Sequence, residues 1–364
     1  MGDVAEICSL SEFDHVDAPY RVALVVPMQG PAGIFGPSCE AVAQLAATQV
    51  NAAGGVLGRP VAIEVVDGGA PPHRIATELD RLVRGGEVHA VTGWHISAVR
   101  QELAAVIDRR LPYVYTALYE GGERTPGVFC TGETPRNQLE PALRWLRDMM
   151  GVHRWCIIGD DYIWPRASAA ATRGYARELG LSIVDEVYVR LGEQNFEAAV
   201  KRVQQSDADG VLMFLVGQDA VLFNRLFASR GMHDQMVRFT PLMEENMLLA
   251  SGSAATHNLF VAASYFRSLA TGGALDLMGD YVRAYGPTAP PLNNAAESCY
   301  EGVQTLVALI ERAGSHEMNK LLTVSDNIGY DGPRGVMQMH NGHLRQSVHL
   351  AVADGFEFDI LTAL

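Results

Sequence analysis

From Tyr20 onward, short apolar runs rich in Val, Ile and Ala alternate with longer amphipathic stretches, and after residue 129 the series begins a second time. Strands that are apolar along their whole length, each followed by a helical stretch, bury both faces in a parallel sheet covered by helices on either side. The first unit is clear. Arg21 to Pro27 reads as a buried strand, Pro37 to Ala53 as a helix with Val42, Leu45, Ala46 and Val50 on one face, and Gly54-Gly55 as its stop. Val61 to Asp67, a helix from His73 to Arg84, Ala90 to Thr92, a helix from Ala98 to Arg109 and the strand Tyr113 to Ala117 complete one doubly wound α/β lobe.

The second series runs through helices 136–150, 165–179, 195–206 and 219–230, between strands 154–159, 183–190, 210–215 and 236–240. A second lobe is complete by about residue 264. Residues 274–285 and 293–313 are again helical, and Gly332-Pro333-Arg334-Gly335 opens strand-like segments at 336–340, 346–353 and 356–361. No low-complexity linker parts the halves, so the chain is expected to pass between the lobes more than once.

A chain of 364 residues exceeds one ordinary core, which agrees with two lobes. Acidic residues outnumber basic ones 42 to 28, and a formal charge of −14 would repel a phosphate backbone, so direct nucleic-acid binding is excluded. Only Lys201 and Lys320 are lysines; the other 26 basic residues are arginines and form no basic stripe. Apolar runs stop short of the ~20 residues a membrane span needs. Met1 to Leu10 carries acidic residues where a signal peptide has a basic region, so the expectation is a cytoplasmic protein if Met1 is the native start, and an exported one if a leader was removed. Five widely spaced cysteines, Cys8, Cys39, Cys130, Cys156 and Cys299, with no Cys-x-x-Cys pair, favour reduced buried thiols over a disulfide framework or a zinc site.

Two local signatures flank the predicted helix 136–150. The first is Tyr119-Glu120-Gly121, followed by Thr125-Pro126-Gly127 and Thr134-Pro135-Arg136-Asn137-Gln138; the second runs from Ile157-Ile158-Gly159-Asp160-Asp161 to Tyr162-Ile163-Trp164-Pro165-Arg166. Together they resemble the short-chain amide and urea branch of the type I solute-binding proteins. The segment from Asn51-Ala52-Ala53-Gly54-Gly55 to Val65-Val66-Asp67 resembles that superfamily as a whole. The resemblance implies the type I periplasmic-binding-protein fold, three crossings between lobes and a ligand held between them. It places residues 1–134 plus 266–322 in the first lobe and 135–265 plus 323–364 in the second.

Open α/β sheets bind ligands at the carboxyl ends of their strands, here after Val26, Thr92, Tyr115, Gly159, Leu215 and Thr240. Ser97 stands where an N-cap stands; it either caps the following helix or offers its hydroxyl to a ligand. The resemblance implies a ligand-facing serine there, with His95 in an aromatic position two residues earlier and Trp94 beside it. His95 is either a satisfied cleft histidine or a donor that brings pH dependence near ~6.5. The resemblance retains Tyr115, but Ala117 and Leu118 stand where the amide regulators have threonine and proline. A ligand group left unpaired there would lose ~1 to 3 kcal/mol, which favours a larger or less polar ligand than acetamide. Tyr162 and Trp164 read as aromatic cleft walls or as core, before a Pro165 that starts the next helix at its first position. Glu244-Glu245 resembles an acidic pair of the urea-binding component, with a solvated loop as the alternative; Tyr265-Phe266 sits at a crossing as hinge packing or ligand contact.

Gly30, Gly33 and Gly36 are spaced G-x-x-G-x-x-G with Pro31 inside, so the dinucleotide fingerprint is absent, and no Walker A, H-E-x-x-H or G-x-S-x-G motif occurs. The reading is a non-catalytic binding protein without cofactor or metal. Its leading form is a cytoplasmic sensor of a short-chain amide or urea that closes on its ligand and acts on an antiterminator-type regulator. The alternative is the receptor of an ABC importer for urea, amides or branched-chain amino acids, with a permease as partner. A homodimer is compatible with either. A four-atom amide is limited to roughly −6 kcal/mol, about tens of micromolar.

Overall fold

The computed structural model describes residues 18–364; Cys8 and the amino-terminal stretch lie outside the described residues. Five strands open the chain: β1 (Tyr20–Val26), β2 (Val61–Asp67), β3 (Ala90–Gly93), β4 (Tyr113–Tyr115) and β5 (Val128–Cys130). The connecting helices are α1 (Gly36–Ala52), α2 (Pro72–Arg84) and α3 (Ser97–Ile107). All neighbouring pairs among these strands are parallel. β1, β3 and β4 are buried almost throughout, as expected of strands covered on both faces.

The chain then builds a second lobe from α4 (Pro135–Met150), β6 (Arg154–Asp160), α5 (Ile163–Leu179), β7 (Ser182–Val189) and α6 (Glu197–Gln204). It continues through β8 (Gly210–Phe214), α7 (Gln218–Ser229), β9 (Val237–Thr240), α8 (Glu245–Ser251) and β10 (Leu259–Ala263). Thr134, Pro135 and Asn137 start α4 as the sequence suggests: Thr134 and Asn137 form a reciprocal capping box and Pro135 takes the first helical position. Gln138, next in that motif, is buried and donates to the carbonyls of Pro241 and Ala262, 3.1 and 2.7 Å away, tying α4 to the ends of β9 and β10.

The chain returns to the first lobe through α9 (Gly272–Tyr285), α10 (Asn294–Ala313) and α11 (Met318–Val324), then β11 (Gly329–Gly332), β12 (Gly335–His340) and β13 (His343–Arg345). It ends with β14 (His349–Asp354) and β15 (Glu357–Ala363). The first sheet has the order β11-β12-β13-β5-β4-β3-β1-β2 and the second β15-β14-β10-β9-β8-β6-β7.

This topology corrects the expectation that residues 323–364 all belong to the second lobe. β11 to β13 pair within the first sheet, and only β14 and β15 join the second, so the third crossing lies between Arg345 and His349. The segment 346–353, read as one strand, is therefore a crossing followed by a strand; apolar content alone does not say which sheet edge a strand joins. β5, β10, β11, α8 and α11 are absent from the sequence reading, each being three to seven residues long. Among the described residues no helix is long and apolar enough to cross a membrane.

Candidate ligand-binding cleft

In each lobe the strand order reverses beside the strand that opens its doubly wound series: β1 lies between β2 and β3, and β6 lies between β7 and β8. Loops leaving the carboxyl ends of such neighbours diverge and leave a crevice. The loops after β1 and β3 face those after β6 and β8 across the interlobe cleft. Gly93 makes the exit from β3 possible: its φ is +134°, and a Cβ there would lie 2.3 Å from the Val25 carbonyl oxygen.

A small inner cavity lies where the lobes meet. The first lobe supplies Trp94, Ile96, Ser97, Ala117 and Leu118, with His95 behind them; the second supplies Tyr162, Trp164, Val216 and Leu242. Its volume of about 10 Å³ is room for about one water molecule, so the lobes are closed against each other. An outer chamber of about 260 Å³ adjoins it, sharing Ile96 and Val216. Pro27, Pro31, Ala32, Ala70 and Pro71 line it from the first lobe and Leu191 from the second, so its walls are mostly apolar. Two further contacts cross the cleft. Asn246 donates to the Ile34 carbonyl at 2.7 Å, and Gly217 packs against the Pro31 carbonyl.

Six of the eight residues singled out from the sequence come together at the inner cavity: His95, Ser97, Ala117, Leu118, Tyr162 and Trp164. Their roles differ from the expectations. Ser97 is the first helical residue of α3, with Ile96 as N-cap, and its hydroxyl donates to Glu120 Oε2 at 2.6 Å instead of capping. Glu120 Oε1 accepts from Arg100 at 2.8 Å, and the Arg100 guanidinium lies 4.6 Å from the centre of the Tyr119 ring. Thus the Tyr119-Glu120 motif fixes the Ser97 hydroxyl through a charged pair. Tyr162 is the N-cap of α5, which begins at Ile163, so Pro165 occupies the third helical position and not the first.

His95 is fully buried. Its Nδ1 is 2.9 Å from the Val25 carbonyl oxygen and its Nε2 2.6 Å from the Tyr113 hydroxyl. A carbonyl only accepts, so Nδ1 carries a proton, and with the buried ring neutral Nε2 accepts from the Tyr113 hydroxyl. Burial pushes its pKa down to about 4, so the expected pH dependence near 6.5 does not apply.

Tyr115 and Glu244 do not line the cavity. Tyr115 is buried beneath it and donates from its hydroxyl to the His95 carbonyl at 2.8 Å. Glu244 and Glu245 are both buried, which overturns the solvated-loop alternative. Glu244 accepts from the Ala295 amide at 3.4 Å and Glu245 from the Arg267 amide at 2.7 Å. The first turn of α8 thus packs over the first turn of α10 and the second crossing, where carboxyls meet free amides. Burial first, then the neighbouring Glu245, pushes the Glu244 carboxyl up to about 8.

Sequence reasoning missed the groups that shape the second lobe's wall. Asp160, at the end of β6, accepts from the Val216 amide at 2.8 Å, and Asp219, in α7, accepts from the Gly192 amide at 2.7 Å. Burial, then the neighbouring Asp219, raises Asp160 well above the usual carboxylate range. The two acids hold the loops that carry Leu191 and Val216. Trp94 was visible only as the neighbour of His95. It lines the cavity, packs with its ring tilted against that of Phe35 at 4.5 Å between centres, and its buried indole Nε1–H has no acceptor in the protein. Such a donor costs about 1–3 kcal/mol unless an acceptor meets it. Among the described residues no group of His, Cys, Asp and Glu is arranged to hold a metal ion.

Two α/β lobes are thus joined by three crossings, with a cavity between the switch points of the two sheets. Residues 19–357 match the family described as periplasmic binding protein, and the chain belongs to that family. It is 21% identical over 355 residues to a Leu/Ile/Val-binding protein of Rhizobium johnstonii, covering 92% of this chain and 91% of that protein. A Leu/Ile/Val-binding protein homolog of Brucella melitensis is 22% identical over 302 residues, covering 82% and 80%. Among solved structures, an ABC-transporter solute-binding protein of R. palustris in complex with benzoate superposes with a TM-score of 0.83 at 17% identity, over 95% of this chain and 96% of that one. The branched-chain amino acid transporter substrate-binding protein LivJ of Streptococcus pneumoniae, in complex with isoleucine, gives 0.82 at 15% identity, over 95% and 98%. These structural likenesses establish the fold.

Proposed function

We propose that this chain is the substrate-binding receptor of an ABC importer. It works outside the cytoplasmic membrane and hands a small organic solute with a polar end and an apolar body to a permease. The observation that carries the reading is the pair of adjoining interlobe chambers. The inner one offers the Ser97 hydroxyl and the orphan Trp94 N–H, and the outer one is walled by proline, alanine and aliphatic side chains. A few polar groups that orient, beside apolar walls that desolvate, is the usual make-up of a small-molecule site. The descriptions of the similar solved structures as transporter binding proteins support import over the cytoplasmic amide sensor expected from the local motifs. Their ligands, branched-chain amino acids and benzoate, are small solutes with a carboxylate and an apolar part.

A short-chain amide or urea is the second reading. The small inner cavity and the Tyr119-Glu120 and Tyr162-Trp164 segments favour it. Calorimetric titration of the full chain with isoleucine, leucine, benzoate, 4-hydroxybenzoate, acetamide and urea separates the two. Trp94 and Trp164 in the cavity wall make tryptophan emission a parallel signal. Heat with the amino acids or benzoates, together with loss of uptake of the bound solute in a deletion strain, is the expected result. Heat with acetamide or urea alone supports the second reading, and no heat with any of them refutes both ligand classes.

A further inference from the structure

Arg334 stands in the tight turn between β11 and β12 with its side chain 1% exposed. Its guanidinium reaches the Glu297 carboxylate, Gln346 Oε1 at 2.8 Å, Asn294 Oδ1 at 3.1 Å and, at 4.0 Å, Glu133 Oε1. Three of these partners lead onward into the crossings. Gln346 begins the third crossing, and its amide nitrogen donates to the Thr131 carbonyl at 2.8 Å, at the start of the first. Glu133, within the first crossing, accepts from the Ser264 amide of the second at 2.7 Å. Asn294 Oδ1 accepts from the next amide, that of Tyr265, at 3.0 Å.

Residues next to these along the chain are tied to the second lobe. Thr134 is held in the α4 capping box, the Phe266 ring lies 5.0 Å from that of Phe358, and the Val348 carbonyl accepts from the Leu364 amide at 2.8 Å. In the first and third crossings only the Glu133–Thr134 link and Ser347 are left between the two sets of anchors; in the second, Ser264 follows β10 directly, so its bond to Glu133 and that of Tyr265 to Asn294 tie the end of β10 to the Arg334 cluster.

We infer that Arg334 is a positioning residue for ligand binding: it gathers all three crossings at one cluster beside the first lobe and limits where the cleft can bend. A planar fork of five donors suits this task, because one side chain can hold several acceptors in fixed directions. A hinge bent at a few fixed points has few open conformations, so closure on a ligand costs little conformational entropy. If the clip is loosened, the open ensemble broadens and the same ligand contacts close the cleft less often.

The test uses the ligand-free full chain, so it is independent of which solute the cleft takes, and a failure here leaves the receptor reading untouched. Hydrogen exchange is followed at the Ser264 and Tyr265 amides, which report the clip, and at Val211 to Phe214 in β8, which report the global fold. Two variants are compared with the wild type: Arg334→Lys, which keeps the charge but loses the fork, and Gln346→Ala, which leaves every buried charge in place. Both should speed exchange at Ser264 and Tyr265 by about tenfold or more, with β8 unchanged. Small-angle scattering should show a larger radius of gyration for both. Equal acceleration in β8 would make Arg334 a structural residue only and overturn the inference. So would unaltered exchange at the two reporters, or faster exchange with an unchanged radius of gyration.

Discussion

His95 and Glu244 are buried titratable groups whose folded pKa values depart in opposite directions from those of the unfolded chain. The folded ring of His95 takes up a proton only near pH 4, the unfolded one near 6.5. Its contribution to stability is therefore complete above pH 6.5 and is lost as pH falls through 4, levelling at about 3 kcal/mol. Denaturant unfolding of the wild type and His95→Asn, measured across this range, should show the wild type losing that amount relative to the variant. Glu244 keeps its proton to about pH 8, whereas the unfolded carboxyl loses it near 4.5. Its folded form is favoured below pH 4.5 and increasingly penalised as pH rises towards 8. Glu244→Gln, isosteric and still an acceptor for Ala295, should gain on the order of a few kcal/mol over the wild type at pH 8 and nothing at pH 4. Tyr115→Ala should register as lost stability, about 3–5 kcal/mol by thermal or denaturant unfolding, because the ring packs and bonds beneath the cavity floor.

Elements decide how closely the lobes approach. Gly217 is the N-cap of α7 with φ +51°, and a Cβ built there would lie 2.1 Å from the Pro31 carbonyl oxygen of the opposite lobe. Gly217→Ala carries a backbone cost of about 1–2 kcal/mol in the left-handed region and also wedges the cleft. Scattering should show a more open molecule, and affinity for whichever panel solute binds should fall at least about tenfold; unchanged affinity would mean that closure is not required for binding. At this scale the sequence was legible where periodicity is long. The alternating strands and helices of both lobes, and the Thr134-Pro135-Asn137 start of α4, follow from local pattern. The split between β13 and β14 does not, because either sheet edge would satisfy the apolar residues on both sides of Gln346. Nor does the place of Glu244-Glu245: their burial depends on α10 arriving from 50 residues downstream to offer its first amides.

Across the whole molecule, closure balances few contacts. Asn246 to Ile34 is a direct hydrogen bond between the lobes at the cleft, beside apolar and backbone contact there and the Glu244–Ala295 bond nearer the crossings. Its net worth is about 1 kcal/mol, so Asn246→Ala should weaken solute affinity about fivefold, mostly through faster release, with little change in melting temperature. Stopped-flow tryptophan emission separates the two rates. The sequence by itself determined two α/β lobes and the loops that would face each other, because apolar periodicity and helix-start chemistry are local. It also brought six of the eight candidate residues to one cavity. Tertiary structure alone decided that His95 is a neutral strut, that Ser97 is held by Glu120 and Arg100, that Glu244 serves the crossings, and that Arg334 gathers them. Each of those outcomes depends on at least one partner more than 20 residues away, and for Arg334 on one about 200 away, a distance no local pattern encodes.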